Sequence, residues 1–269
     1  MELYRTIKEN YSKHHIQAYS GQMAFFFTMS LFPFLVVLFT VIGRLSLDSR
    51  VLYDFAEVFV PGDIQEFLMG YINQITFNST GVISTSLILT LWSSSKAVHG
   101  MMRSINVVFE VKESRNFLYL RMIGFLYTFG LIVAIVLFLI LPVIGVRFLE
   151  FVSPFVNLSD FFISFFSRMK WIVIVVVFYA IMLLVYMRGP NQKIAFKNAS
   201  RGALLSLSGW LLNAIVYSTI INTFTRMSVV YGGISAIILL ALWLYINALI
   251  ILIGAEVVFF YEVKKNPAL

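Results

Sequence analysis

The chain has 269 residues, 60% of them apolar and 12% charged, with no cysteine and a formal net charge of +7. Soluble domains carry roughly 45–50% apolar and 25% charged residues, so this balance excludes a water-soluble core and makes lipid the bulk solvent. The missing cysteine excludes thiol catalysis, disulfides and thiolate metal sites, while the basic excess opens a nucleic-acid reading that the placement of the charges argues against below.

Residues 1–20 read as a cytoplasmic, partly amphipathic lead-in without a cleavable signal sequence. Leu3, Ile7 and Tyr11 recur at helical spacing between Arg5, Lys8 and Lys13, the pattern of an interfacial helix on anionic headgroups. His14 and His15 are adjacent, so a helix would point them about 100° apart, away from a shared metal. Residues 23–42 form the first expected span: twenty uncharged residues, about 30 Å of helix. It is preceded by Gln22 and carries Pro33, which removes a backbone hydrogen bond and predicts a kink.

Between residues 45 and 76 the pattern changes to two short amphipathic helices broken at Pro61-Gly62, with Asp63 and Glu66 as a capping box. They are expected on the outer surface or over the mouth of a bundle. The second span, about 81–99, is short before Lys96 and rich in hydroxyls, among them Ser93 and Ser94. Short or interrupted spans point to binding sites in transporters, although hydroxyls also bond back to their own helix or join helices. From Trp92 to Arg121 runs the longest polar interruption in the middle of the chain, a basic connector.

The third span covers about 122–146. A second outer segment, 147–170, carries Phe161, Phe162, Phe165, Phe166 and Met169 and predicts another interfacial helix. The fourth span is 171–187, followed by a basic loop to Arg201. The fifth, 202–225, places Gly202 and Ser206 four apart for close helix approach and contains Asn213. The sixth, 234–256, carries Asn247 and Glu256 and a seam of Ala241, Ala248 and Ala255, one every seven residues. The expected architecture is an all-α integral membrane protein, a single membrane domain over 1–269. It is a bundle of six transmembrane helices with short amphipathic interfacial helices on the outer side.

With both termini cytoplasmic, Arg5, Lys8, Lys13, Lys96, Arg103, Lys112, Arg115, Arg121, Arg188, Lys193, Lys197, Arg201, Lys264 and Lys265 lie inside. Only Arg44, Arg50, Arg147, Arg168, Lys170 and Arg226 lie outside. That is the positive-inside bias, and it accounts for the basic balance without nucleic acid.

Four stretches then resemble the YihY/BrkB membrane-protein family, formerly called ribonuclease BN-like. They are AYSGQMAFFFTMSLFPFLVV from Ala18, LWSSSKAVHGMMRSINVVFEVKESRNFLYLR from Leu91, RGALLSLSGWLL from Arg201 and YGGISAIILLALWLYINALIILIGAE from Tyr231. Arg201 departs from the proline usual in the family at that place. The resemblance implies a six-span bacterial inner-membrane protein linked to envelope integrity, of a kind suspected of exporting lipids or related envelope molecules.

Two functions follow as expectations. One is a transporter, exporter or flippase-like carrier of lipids or anionic amphipathic envelope molecules. Lys96, His99 and Arg103 share one helix face that could hold an anionic headgroup, or could serve only as a positive-inside anchor. Asn106, Arg115 and Arg121 carry the family resemblance and either touch ligand or fix the connector. Glu256 pairs with one of these cations, carries a proton, or simply ends its helix at the interface. The other function is a non-transporting structural or partner-binding protein, with the alanine seam available to a homo-oligomer. An enzyme is not expected: a metal-dependent nuclease needs clustered His and Asp ligands. The three histidines, His14, His15 and His99, are separated by the bilayer from Asp48, Asp54, Asp63 and Asp160. No cofactor or metal is expected, and the partners are membrane lipids.

Overall fold

The computed structural model describes residues 2–44, 80–127, 129–130, 160–224 and 233–265. The amphipathic helices expected over 45–76, and most of the third span, lie outside the described residues. Seven helices run through the described residues, with no strand among them. They are α1 (Glu2–Lys13), α2 (Ile16–Arg44), α3 (Thr80–Val108), α4 (Phe117–Tyr127), α5 (Asp160–Arg188), α6 (Phe196–Phe224) and α7 (Gly233–Lys265).

The helices outrun the expected spans. α2, α3, α5 and α6 each have 29 residues, about 43 Å at the helical rise, so each exceeds the ~30 Å hydrocarbon layer. One correction follows. The separate interfacial helix expected over Phe161–Met169 is instead the first part of α5, because no Gly or Pro interrupts the chain from Asp160 to Arg188. The second span continues as helix past residue 99 to Val108, so Lys96, His99 and Arg103 lie on one helix, as their spacing predicts. Pro33 lies within α2, whose helical assignment continues to Arg44.

Local chemistry sets the ends. α1 opens with Glu2 and closes with Lys13, each favourable to the helix dipole. His15 then takes a left-handed φ of 48°, and the chain turns into α2. At the end of α3, Glu110 N–H bonds to Val107 O and Val111 N–H to Asn106 O, both at 3.0 Å. That pairing is a Schellman cap, with Glu110 at φ 55° in the position glycine usually fills. Gly189-Pro190 stops α5, since proline cannot continue the helix.

α7 is the central element, packing against α1, α2, α3, α5 and α6. Its close approach to α6 depends on small residues. A Cβ on Gly202 would lie 2.3 Å from Val258 Cγ2, and one on Gly254 would lie 2.2 Å from Ser206 Oγ. The Gly202/Ser206 pair read from the sequence therefore serves the α6–α7 contact. Fully buried Tyr186 of α5 bonds Ser206 Oγ at 2.5 Å and donates to Ile251 O at 2.8 Å, tying three helices through one satisfied hydroxyl. Ala248 and Ala255 are completely buried within the chain.

By length and composition, the stretches Phe196–Thr219 of α6 and Ile238–Lys264 of α7 can cross a membrane. Leu204, Leu212 and Ile215 of α6, Ile172 and Val176 of α5, and Met122 and Leu126 of α4 stand exposed. In water such a surface would be an aggregation liability; against lipid it is solvated.

Candidate functional site: a buried acid–imidazole relay

Glu256 is a carboxylate inside α7, a strongly apolar helix. It does not end that helix, which continues to Lys265, and its side chain is only 1% exposed. A lone charge there would be prohibitive, so it must find partners. Asn10 Nδ2 donates to one oxygen at 2.9 Å. His14 Nδ1 lies 2.5 Å from the other. The partner is thus the N-terminal break, not one of the connector cations.

The opposite ring nitrogen, His14 Nε2, lies 3.0 Å from Glu110 Oε1. Glu110 is also bonded to Lys13 Nζ and has a 47% exposed side chain. A continuous chain therefore runs from a buried carboxylate, through an imidazole, to a carboxylate in solvent. With a carboxylate at each nitrogen, the doubly protonated ring can donate both ways. Burial opposes charging the ring, but the hydrogen bonds and charges of Glu256 and Glu110 outweigh it and hold the imidazole above its ordinary range. The Lys13 ammonium, with the His14 ring behind it, holds Glu110 below the usual carboxylate range. Phe259 closes the site edge-on to the His14 ring at 5.8 Å. The two left-handed residues, His15 and Glu110, flank this chain, a place where backbone strain of about 1–3 kcal/mol each is held by the surrounding fold.

The residues singled out in the connector divide into two groups. Asn106 and Arg115 form a clamp. Arg115 donates to Arg188 O at 2.9 Å and Gly189 O at 2.8 Å, satisfying carbonyls at the end of α5 that the helix leaves orphaned. It also holds Glu113 through Nε at 2.7 Å. Asn106 donates to Glu113 at 2.7 Å and accepts Asn191 N–H at 2.8 Å. Hydrogen bonding to Arg115 holds Glu113 below the usual carboxylate range. Lys96 and Arg121 gather at Trp92 instead: the Arg121 guanidinium lies 3.8 Å from the ring centre and the Lys96 ammonium 5.8 Å. Arg121 Nη2 is buried and has no hydrogen-bond partner among the described residues. His99 is half-buried and Arg103 exposed on α3.

Of the polar residues picked out within the spans, Gln22 is half-buried on α2. Pro33, Ser93 and Ser94 lie on α2 and α3, with side chains outside the described residues. Asn213 is buried, and its Nδ2 has no partner among the described residues. Asn247 Nδ2 donates to Trp243 O at 2.8 Å, while its buried Oδ1 has no partner among the described residues. The same holds for Tyr217 Oη, one turn from Asn213, whose ring lies 6.1 Å from that of Trp243.

The sequence reading found Glu256, Asn106 and Arg115 but missed Asn10, His14, Glu110 and Glu113 as site residues. One signal was available: an acid inside an apolar run demands a donor, and the N-terminal lead-in offers histidines on the same side.

Asn106, Glu110, Glu113, Arg115 and Glu256 lie within stretches that carried the resemblance, whereas Asn10 and His14 precede the first of them. The family described as Virulence factor BrkB matches residues 7–269. The chain belongs to the BrkB family. This BrkB protein is 29% identical over 269 residues to the Bacillus subtilis protein named Putative ribonuclease-like protein YfkH, covering 99% of this chain and 98% of the relative. It is 26% identical over 265 residues to a UPF0761 membrane protein of Aliivibrio salmonicida, covering 93% of this chain and 80% of the relative. A UPF0761 membrane protein of Haemophilus influenzae is 20% identical over 254 residues. No solved structure matches the chain. The BrkB chain is a membrane protein, as its relatives are named and as its apolar exterior requires.

Proposed function

We propose that this BrkB protein is a multi-pass carrier of the bacterial cytoplasmic membrane, with six spans and both termini inside. It moves lipids or anionic amphipathic envelope molecules and catalyses no reaction, and protonation of the Glu256–His14 pair belongs to its cycle. The observation that carries this reading is Glu256 itself. An ionisable group within an apolar helix is costly and marks ion pathways and proton relays, and this one is hydrogen-bonded through His14 to a solvent-exposed acid. The buried atoms of Asn213, Tyr217 and Asn247 that have no partner among the described residues support a polar route through the bundle, because such atoms are expensive in lipid without a visiting partner. The cations Lys96 and Arg121 at Trp92 offer charge for a headgroup.

A specific observation also favours the structural reading. Asn106 and Arg115 are engaged in fixing the connector to α5, as in a scaffold. In that reading the partners are lipids and a second copy of the chain, with no nucleic acid.

Liposomes containing the purified protein and a fluorescently labelled anionic phospholipid separate the two. The carrier reading expects leaflet exchange that depends on an imposed pH gradient. Exchange no faster than in protein-free liposomes, whatever the gradient, would leave the scaffold reading standing alone.

A further inference from the structure

The feet of α6 and α7 enclose a cleft of about 340 Å³ lined by Ala195, Lys197, Asn198, Arg201, Tyr261 and Lys264. Three of those six carry positive charge and none is acidic. The arrangement is held in place. The Arg201 guanidinium lies 4.0 Å from the centre of the Tyr261 ring, and its Nη1 donates to Asn198 Oδ1 at 3.3 Å. Asn198 is buried and oriented in turn by Glu262, through Nδ2 at 2.7 Å. The Tyr261 ring and a hydrogen bond thus position a planar cation, none of whose other donors has a hydrogen-bond partner among the described residues. Lys264 pairs with Glu2 at 2.9 Å, but both side chains are well exposed, 61% and 74%. That pair contributes little and exchanges readily for another anion.

Above the cleft, the same face of α6 becomes apolar. From Lys197 and Arg201 the exposed side chains continue at three- and four-residue helical steps through Leu204, Ser208, Leu212 and Ile215, with Leu205 and Leu211 beside them. A cationic seat topped by an apolar track matches a ligand with a phosphate at one end and acyl chains at the other. We infer that this cleft is a binding site for the phosphate headgroup of an anionic glycerophospholipid, with the acyl chains lying along α6. The site does not depend on the carrier reading, since a lipid held there need not be moved.

The test uses the full-length protein in nanodiscs of phosphatidylcholine with a minor share of phosphatidylglycerol, extracted gently and counted for bound lipid by native mass spectrometry. Wild type should retain phosphatidylglycerol over phosphatidylcholine. Lys197→Gln with Arg201→Gln should lower that retention roughly fivefold for each cation removed, while Lys193→Gln, on the exposed loop outside the cleft, should leave it unchanged. Should the double variant not fold, Lys197→Gln with Lys264→Gln, both exposed, repeats the measurement. Equal retention by the cleft variants and wild type overturns the site, as does an equal loss in Lys193→Gln, which would mean general surface charge. Displacement of the lipid by inorganic phosphate at equal concentration would make the ligand free phosphate and overturn the lipid assignment.

Discussion

His14 and Glu256 are separated by 242 residues in the chain and by 2.5 Å between ring nitrogen and carboxylate oxygen. The contact joins the break between the first two helices to the helix at the centre of the bundle. Each partner is almost wholly removed from water, with side-chain exposures of 3% and 1%. The pair is therefore a structural closure and a titratable site at once.

Stability should fall on both sides of a pH optimum. The folded His14 is held above its ordinary value of 6.5, so its contribution is fully present below 6.5 and is lost as pH rises through the higher folded value. The folded Glu110 is held below its ordinary 4.5, so its contribution is present above 4.5 and is lost as pH falls through the lower folded value. Thermal unfolding in detergent across this range checks both arms. His14→Gln should flatten the alkaline arm and shrink the acid one without abolishing it, since Lys13 still holds Glu110; an unchanged alkaline arm would mean that another group titrates there.

Gly254→Ala should cost roughly 1–3 kcal/mol as overpacking, because its methyl group would meet Ser206 Oγ at 2.2 Å and Tyr186 Oη at 2.3 Å. Ser206→Ala in the same chain relieves the first of these contacts and frees the Tyr186 hydroxyl from its Ser206 partner so that it can shift, and the double variant should be more stable than the sum of the two single losses. Denaturation of all four proteins in a double-mutant cycle reads that coupling.

Arg115→Lys should loosen the connector although the charge is kept. A lysine point charge cannot reach Arg188 O, Gly189 O and both Glu113 oxygens from one planar fork. A loss of about 1–3 kcal/mol is expected, since acceptors are left unpaired. Limited proteolysis should show earlier cleavage between residues 109 and 116, with Lys96→Gln as an unaffected control.

Asn213→Leu should leave stability equal or raised, because it removes a buried donor that has no partner among the described residues. Lipid exchange in liposomes should nonetheless fall severalfold if that donor serves a passing headgroup. Stability lowered by more than about 1 kcal/mol would mean that Asn213 is satisfied in the native bundle.

The helical class and the membrane setting were legible in the sequence, since both rest on composition and on long apolar runs. Helix lengths were not. Hydropathy marks where lipid contact ends, whereas the hydrogen-bonded helix continues until a cap or breaker stops it, at Val108 for α3 and at Gly189-Pro190 for α5. Gly202 and Ser206 were readable as a close-packing pair because the spacing alone defines a helix face. Arg115 and Asn106 were readable as connector residues, but their acceptors on the 188–191 loop were not, since nothing local specifies a partner over seventy residues away. Glu256 stood out as an acid in an apolar helix. Its link to His14 was hidden for the same reason: only the way α1 and α2 fold against α7 brings the two together.

The most direct measurement follows protons and lipid together. Liposomes holding a trapped pH-sensitive dye and a labelled anionic phospholipid should show a change in internal pH that accompanies lipid exchange by the wild-type protein. Glu256→Gln, which keeps the side-chain shape but removes the ionisable group, should abolish the pH change and slow the exchange at least tenfold. Exchange by Glu256→Gln at the wild-type rate, or wild-type exchange with no movement of protons, would contradict the account.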